Sequence, residues 1–321
     1  MLITSCRALA VLLLLVPAVA RAGDKQPIIL KHDGWVAAVA FAPDGKTLAS
    51  AGADNVVRLW EVGSWKAKGV LKGHKDCVTS VAFGPDGTWL ATGSFDNTAR
   101  TWNLNGIGAD KALKIHRGAV LAVLATDYRG ARTVISAGVG GRVDFWNAKD
   151  ERHQAIGKGM TWVNSLSLHG DIDKGGMVAF ACSDEYARIT LSGQPRGFAE
   201  PGGAGEVRCV AFSPDGKLLA AGNRYGTVRI WEVASRKEIK TLTGHMGEVW
   251  SIAFSPDGKT LAAVDTEWKK PSKIKLYDTT TWKERGSLAC PGEILSIAYS
   301  PKGDWLAAGS WDRTVRLFPI K

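Results

Sequence analysis

The sequence lacks the usual marks of metal, redox and nucleotide chemistry. Its five cysteines never form a C-x-x-C pair, the spacing expected for zinc, thiol redox or haem attachment. Asp171 and Asp173 stand close together in a Gly-rich connection, but the glycine and terminal glutamate of a calcium loop are missing. We therefore expect no metal, no cofactor and buried free thiols.

Long apolar runs and blocks of one charge are also scarce. Beyond residue 22 no run is long enough to cross a bilayer. The net charge is +10, yet the lysines and arginines are scattered. Lysine on an outer strand prevents edge pairing, so we expect no specific nucleic-acid partner; an anionic partner is the alternative.

The first 22 residues have the pattern of a secretory signal peptide. Arg7 precedes an apolar run over 8–18, and Ala20-Arg21-Ala22 fits the small-x-small rule for cleavage before Gly23. Ala18-Val19-Ala20 is a competing site, and a retained anchor helix is the alternative. We expect an exported protein, either periplasmic or extracellular.

A repeat dominates the rest of the chain. The phrase Val-Ala-Phe-x-Pro-Asp-Gly occurs three times, with two near copies, at 39–45, 81–87, 210–216, 252–258 and 297–303. Each phrase leads into a Gly-rich turn and an alternating run that ends on an aromatic residue. With two weaker copies ending at Leu191 and Tyr277, seven copies follow one another at intervals of 40 to 46 residues.

The chemistry of one copy predicts a four-stranded antiparallel sheet. Proline cannot donate to a strand ladder and Asp-Gly supplies a turn with positive φ, so the chain folds back as a hairpin. Two further strands complete the sheet. A single copy cannot bury both of its faces, whereas copies packed face to face in a ring can.

Particular residues resemble the WD-repeat family. Gly73-His74, Phe83 to Gly87, Leu90 to Asp96 and Trp102 are close to a full family repeat, although no copy has a literal Trp-Asp pair. The resemblance, to members of a bacterial exported type, implies an all-β, seven-bladed β-propeller of four-stranded antiparallel blades. Residues 23–321 would form this single domain, with repeats at about 32–72, 73–115, 116–158, 159–204, 205–243, 244–290 and 291–321.

The same resemblance explains the two ends of the domain. Too few residues follow Phe318 to form a last outer strand, so the strand-like run 27–31 should complete the last blade and close the ring. Copy four, Trp162 to Leu191, lacks the Pro-Asp-Gly turn and the closing tryptophan, and a six-bladed ring without it is the alternative. Cys182 and Cys209 fall on neighbouring blades and are the one pair worth testing for a disulfide.

Hydroxyl, histidine and aspartate residues recur together at the blade period. In the WD-repeat family similar residues form a buried network with the closing tryptophan, and here they are His32, Ser50, Asp54 and Trp60, then His74, Thr92, Asp96 and Trp102. A catalytic triad needs an exposed nucleophile and an oxyanion hole, and it would occur once. We expect structural networks, no catalytic residue and no enzyme. His116, Ser136 and Trp146 keep part of the pattern, with Gly140 at the aspartate position.

The resemblance also places residues around the mouth of the central channel on one face. These rim positions carry five large aromatics together with charged residues: Trp35, Phe95, Trp162, Trp250, Trp311, Glu206, Glu248, Glu293, Arg208 and Arg224. A longer turn with Trp268 would stand above the same face. We expect a monomeric scaffold that binds a protein partner here. Two alternatives remain: a carbohydrate- or small-molecule-binding or hydrolytic propeller using the three glutamates, and an accessory subunit of a secreted redox enzyme.

Overall fold

The computed structural model describes residues 26–106, 108–114, 116–148, 153–156, 161–191, 194–198, 205–267 and 270–320. These residues form seven four-stranded antiparallel sheets, which are the blades of a β-propeller. The six-bladed alternative is therefore wrong. The one helix in the described ranges is a single turn, η1 (Ile172–Lys174), and none of their helices is long and apolar enough to cross a membrane.

Each blade is numbered here by its place in the chain. The strands are β1 (Ile28–Lys31); in blade 1 β2 (Val36–Phe41), β3 (Thr47–Gly52), β4 (Val56–Glu61) and β5 (Ala67–Lys72); in blade 2 β6 (Val78–Phe83), β7 (Trp89–Ser94), β8 (Ala99–Asn103) and β9 (Gly108–Leu113); in blade 3 β10 (Val120–Tyr128), β11 (Ala131–Gly138), β12 (Val143–Asn147) and β13 (His153–Ile156). The second half continues with β14 (Val163–His169), β15 (Met177–Cys182), β16 (Ala187–Leu191) and β17 (Gln194–Phe198) in blade 4; β18 (Val207–Phe212), β19 (Leu218–Asn223), β20 (Val228–Glu232) and β21 (Glu238–Leu242) in blade 5; β22 (Ile252–Phe254), β23 (Thr260–Asp265), β24 (Ser272–Asp278) and β25 (Glu284–Cys290) in blade 6; and β26 (Ile294–Tyr299), β27 (Trp305–Ser310) and β28 (Thr314–Pro319) in blade 7.

The first strand closes the ring. β1 pairs antiparallel with β28, with Leu30 opposite Val315, so it is the outer strand of blade 7. Leu30 is buried against Val36 of blade 1 and Leu317 of blade 7. The closing strand expected from the sequence is present, and it joins the two ends of the chain in one sheet.

Turn chemistry explains the hairpins. In the first Pro-Asp-Gly turn the amide of Gly45 donates to the carbonyl of Ala42 at 2.9 Å, and Gly45 has a φ of 71°. Blade 4 has no such turn and uses η1 instead, with Asp171 as its N-cap and Gly175, at φ 89°, as its C-cap. Blade 4 is a full four-stranded blade because a different turn brings its first two strands together.

The apolar core lies between blades. The described residues form seven buried clusters, and each cluster joins two adjacent blades. The cluster between blades 1 and 2, for example, contains Leu59 of one blade and Leu90 of the next. Because both faces of every sheet are covered in this way, no blade is expected to be stable alone.

Serine side chains add polar links between inner strands. Ser80, Ser167, Ser251 and Ser296 each accept a hydrogen bond from a backbone amide of the next blade, at 3.1 to 3.3 Å. Such bonds satisfy amides beside the channel. Three of the four serines precede a Val-Ala or Ile-Ala step of the repeat.

The cysteines do not pair. All four described cysteines are free and buried. Cys182 lies in the cluster between blades 3 and 4, whereas Cys209 lies in the cluster between blades 5 and 6. The disulfide raised for testing is therefore absent, because the two thiols are on opposite sides of the interface between blades 4 and 5.

Candidate functional site

A β-bulge starts almost every inner strand at one end of the ring, here called the top face. The register shifts by one residue at the start of β2, β6, β10, β14, β18 and β26. A bulge re-aims the extra side chain, and the six extra residues all line one cavity at the mouth of the channel: Ala37, Thr79, Leu121, Asn164, Arg208 and Leu295. Trp250 holds the same position in blade 6.

A second tier of residues surrounds this mouth. Trp35 and Trp162 come directly before the first residue of an inner strand, while Phe95, Val139 and Trp311 lie in the turns between second and third strands. The cavity has a volume of about 430 Å³ and is lined by all five aromatics predicted at the rim. Its polar lining residues are Thr79, Asn164 and Arg208.

Close backbone packing holds the rim in place. The carbonyl oxygen of Trp35 accepts the amide of Ala53 at 2.9 Å. A Cβ atom at the neighbouring Gly52 would lie only 1.9 Å from that oxygen, so no larger residue fits there. Gly138 of blade 3 makes the same close approach, since a Cβ atom there would lie 1.9 Å from the carbonyl oxygen of Ala119.

Exposed apolar side chains concentrate on the top face. Nine large hydrophobic residues are exposed in the described ranges, and six of them lie in top-face turns or at the mouth: Phe95, Trp162, Tyr225, Met246, Trp250 and Trp311. The other three, Ile29, Val70 and Ile239, lie on outer strands. Trp162 is 53% exposed, although tryptophan is highly buried on average.

Two aromatic contacts organise the mouth. Trp35 of blade 1 and Trp311 of blade 7 stack with ring centroids 4.8 Å apart and an interplanar angle of 12°. On the other side, the guanidinium of Arg208 lies over the ring of Trp250, 4.7 Å from its centroid. Both contacts cross from one blade to the next, and the first spans the junction between blades 7 and 1 where the ring closes.

Two acids and a second arginine surround Arg208. Its Nε donates to Glu248 at 2.9 Å and its Nη1 donates to Glu206 at 2.9 Å. Arg224 stands farther away, with ion pairs of 4.0 Å to Glu206 and 3.5 Å to Glu248. The Asn164 amide also donates to Glu206, at 3.1 Å. We call Glu206, Arg208, Arg224 and Glu248 the mouth quartet, and its formal charge is zero.

The remaining predicted rim residues differ in placement. Glu206, Glu248 and Arg224 do not themselves line the cavity, although they surround Arg208, which does. Glu293 does not line it either. Its backbone carbonyl accepts the amide of Trp311 at 2.8 Å, so its main chain positions that tryptophan. The three rim glutamates therefore do not share one environment. Trp268 lies outside the described residues.

The histidine networks have the expected geometry in blades 1 and 2. His32 lies 2.7 Å from Ser50 and 3.2 Å from Asp54, and the Trp60 indole donates to Ser50 at 2.7 Å. In blade 2, His74 lies 2.7 Å from Thr92 and 2.8 Å from Asp96, and the Trp102 indole donates to Thr92 at 2.9 Å. Ser50 and Thr92 are fully buried, so neither is accessible to a substrate.

The electrostatics of these networks are those of satisfied buried groups. Burial raises the pKa of Asp54, but hydrogen bonds from His32 and Arg58 outweigh it and lower that pKa to about 2. Burial lowers the pKa of His74, against the opposing effect of Asp96. His74 is then neutral at pH 7, and its two ring nitrogens act as one donor and one acceptor.

Blade 3 lacks the turn aspartate but has a buried carboxylate on another strand, on the Ser136 side of the histidine ring. His116 bonds to Ser136 at 2.8 Å, and the buried carboxylate of Asp144 lies 4.0 Å from the same His116 nitrogen. Asp144 sits opposite Ser136, where blade 1 has Arg58 opposite Ser50. The repeat pattern did not predict a role for Asp144, because in the other copies the aspartate is in the turn, where blade 3 has Gly140.

Blades 5 and 6 have lost the hydrogen-bond network. In blade 5 the hydroxyl position is Ala221 and the turn carries Tyr225. In blade 6 His245 retains only a long contact of 3.4 Å to the Tyr277 hydroxyl. Burial and nearby Lys275 lower the pKa of His245 to about 4, although Asp265 opposes this.

The acidic turn of blade 4 has a structural explanation. Asp171 accepts the amide of Asp173 at 2.9 Å, and Asp173 accepts the amide of Arg129 in blade 3 at 2.6 Å. Among the residues that the structure covers, no group of three His, Cys, Asp or Glu could hold a metal ion.

Sequence reasoning missed five small or aliphatic lining residues and Asn164. They are Ala37, Thr79, Leu121, Val139 and Leu295, and they occupy the same repeat positions as the predicted aromatics and charges. The positional rule could have found them. The prediction did not include them because it considered only aromatic and charged residues at these positions.

The chain resembles known proteins over its repeats. It matches the family described as "WD domain, G-beta repeat" at 25–61, 65–103, 198–232, 236–278 and 282–318, which together make up more than half of the chain. The unmatched stretch includes blades 3 and 4, where the Pro-Asp-Gly turns are absent.

Three curated relatives match single short stretches. A WD repeat-containing protein of Nostoc sp. is 58% identical over 41 residues, which is 13% of this chain and 3% of the relative. U3 small nucleolar RNA-interacting protein 2 of Homo sapiens is 47% identical over 45 residues, 14% of this chain and 10% of the relative. General transcriptional corepressor TUP1 of Saccharomyces cerevisiae is 49% identical over 39 residues, 12% and 6% respectively. The chain thus spans a tenth or less of each of these relatives. The repeat matches and the seven four-stranded blades together show that this chain belongs to the WD-repeat family.

Proposed function

We propose that this chain is an exported, non-catalytic scaffold of a bacterial type that binds a protein partner, as a monomer, at the aromatic mouth of its channel. One observation carries the proposal: five large aromatics from five blades line a single open cavity on the top face. Exposed tryptophans gathered in one patch are typical of protein interfaces, where a few aromatic anchors supply most of the binding energy.

The hydroxyl groups at and near this mouth support a binding role. The hydroxyl of Thr79, which lines the cavity, donates to the Val120 carbonyl at 2.5 Å. The hydroxyls that lie beside histidines, Ser50 and Thr92, are buried within blades. Glu206 and Glu248, the acids nearest the cavity, are both ion-paired to Arg208. Carboxylates held in this way position the guanidinium, whereas a hydrolytic site needs one acid free to exchange a proton.

Export rests on the start of the sequence alone. Arg7, the apolar run 8–18 and the small-x-small site before Gly23 support it. An interaction role is also in keeping with the names of two relatives, a small nucleolar RNA-interacting protein and a transcriptional corepressor.

The test is capture of a partner by residues 23–321 from the envelope fraction of the source organism, followed by mass spectrometry. Phe95→Ala and Trp162→Ala remove exposed anchors, at 41% and 53% exposure, and should keep the melting temperature. Each should weaken binding of the captured partner about 30-fold, since a lost anchor costs about 2 kcal/mol.

The chain offers matched controls for this test. Val70→Ala and Ile239→Ala remove apolar side chains that are 40% and 47% exposed but lie on outer strands. They should leave binding unchanged. If these changes abolish capture while the mouth variants bind normally, the partner docks on the circumference and the proposal is wrong.

A further inference from the structure

The chain's own arginine occupies the place at the mouth where a partner's cation would bind. A cation is attracted to a tryptophan face and to carboxylates. Here the Arg208 guanidinium already covers Trp250 at 4.7 Å and bonds to both Glu206 and Glu248 at 2.9 Å. The side chain is only 17% exposed, so the arrangement is built into the cavity wall.

The charge balance leaves nothing for a second cation. The mouth quartet has two positive and two negative groups, and Arg224 takes up the remaining capacity of the same two acids. An entering lysine or arginine would meet Arg208 without a free carboxylate to offset the repulsion. Like-charge juxtaposition at an interface costs several kcal/mol.

Binding of an anion is also disfavoured, because the two acids beside Arg208 repel it. Glu206 and Glu248 flank the guanidinium, so a carboxylate that approaches Arg208 also approaches two negative charges. A neutral carbonyl is repelled neither by the arginine nor by the two glutamates. The described contacts of Arg208 use two of its five N–H donors, which leaves donors for such an acceptor.

We propose that the mouth selects an uncharged apolar segment of its partner, whose aromatic or aliphatic side chain enters the cavity while a carbonyl accepts a hydrogen bond from Arg208, and that it excludes lysine and arginine. This inference rests on the proposed function and names the chemistry of the partner. All eight apolar lining residues apart from Trp250 come from blades other than blade 5, so the side chain is enclosed on the sides away from Arg208. The volume of about 430 Å³ lies within the range of pockets that hold a small ligand.

Three small probes test the charge preference at constant shape. N-acetylphenylalaninamide is neutral, phenylalaninamide is a cation and N-acetylphenylalanine is an anion at pH 7. Phenylalanine contributes little to tryptophan emission, so the fluorescence of the mouth tryptophans reports binding. We expect the neutral probe to bind at least tenfold more tightly than the cation, and more tightly than the anion.

Changing Arg208 should reverse the order. In Arg208→Ala the mouth keeps Glu206, Glu248 and Arg224, so its formal charge becomes −1 and the face of Trp250 is uncovered. The cation should then bind more tightly than the neutral probe. Arg208→Gln, which retains an N–H donor, should keep part of the affinity for the neutral probe. Arg188→Ala is the matched control, because Arg188 is ion-paired to Asp184 in blade 4 and does not line the cavity.

Several results would overturn the inference. They are a wild-type preference for the cation, no saturable fluorescence change with any probe, or an equal loss for all three probes in both folded Arg208 variants. The outcome is separable from the proposed function. Partner capture that depends on Trp162 together with a cation preference refutes only this inference, whereas the expected probe order with capture insensitive to Trp162 refutes only the proposed function.

Discussion

Replacement of Asp96 in blade 2 by alanine tests how much the buried networks stabilise the ring. Its carboxylate accepts four hydrogen bonds, from the His74 ring at 2.8 Å, the Lys75 amide at 2.9 Å, and the Thr98 amide and hydroxyl at 2.9 and 2.6 Å. The side chain is 6% exposed. Removing it leaves a buried imidazole N–H and two amides without their acceptor.

The lowered pKa of Asp96 gives the size of the stability loss expected for Asp96→Ala. Burial raises this pKa, but the bonds from Thr98, Lys75 and His74 prevail and lower it from 3.8 to about 2. A depressed pKa stabilises the folded state by about 2 kcal/mol at neutral pH. For Asp96→Ala we therefore expect a loss of about 2 to 3 kcal/mol and a fall in melting temperature of about 4 to 6 °C.

The sign of the pH dependence follows from the same shift. The stabilisation is complete above the unfolded pKa of about 4 and is lost as the pH falls through the folded pKa of about 2. The gap between wild type and Asp96→Ala should therefore shrink by about 1 kcal/mol between pH 6 and pH 3.

Thermal unfolding at the two pH values, followed by tryptophan fluorescence, measures this gap. Asp33→Ala is the control, because the Asp33 side chain is 86% exposed and its ion pair with Arg58 is on the surface. A shift below 1 °C at pH 6, or a gap that does not change with pH, would refute the reasoning.

Three further predictions concern other parts of the molecule. Leu30→Ala should lower the free energy of unfolding by about 2 to 3 kcal/mol, because Leu30 of the closing strand is buried between blades 7 and 1. Ile29→Ala, on the exposed side of β1, should change that free energy by less than about 0.5 kcal/mol. Equal effects of the two changes in denaturant titrations would mean that the ring does not depend on this strand. A thiol reagent should modify none of the four buried cysteines until the protein unfolds. Burial raises the pKa of the Cys182 thiol to about 11 and those of Cys77, Cys209 and Cys290 to about 12. Rapid reaction of the native protein would contradict their burial. Mass spectrometry of the exported protein should find Gly23 as its first residue, and an intact Met1 in that fraction would contradict the signal peptide.

The repeat pattern predicted most of the fold. The Pro-Asp-Gly turns and the alternating runs are local features, and each one specifies a hairpin without help from the rest of the chain. Seven copies and a spare strand at 27–31 were therefore enough to predict seven blades and their closure. Blade 4 was harder to predict because its turn is a 3₁₀ helix capped by Asp171 and Gly175, which follows no repeat signature.

The candidate site was predicted less completely. Counting positions within the repeat placed Trp35, Phe95, Trp162, Trp250 and Trp311 at one mouth, and all five line the same cavity. The same counting grouped Glu293 with Glu206 and Glu248, although only the latter two contact Arg208. Equal repeat positions are equal in height and direction, but their neighbours differ from blade to blade.

By itself the sequence determined the local chemistry of this protein: strand alternation, turns with positive φ, and the repetition that requires a ring. Only the tertiary structure decided what meets across the junctions between blades. The bulged position of β18 places Arg208 over Trp250 and between two glutamates, and Asp144 reaches His116 from another strand. Apart from the local pair of Arg208 with Glu206, these contacts join residues 28 to 42 positions apart. Their existence depends on how strands and blades pack in the closed ring, which the local sequence does not specify.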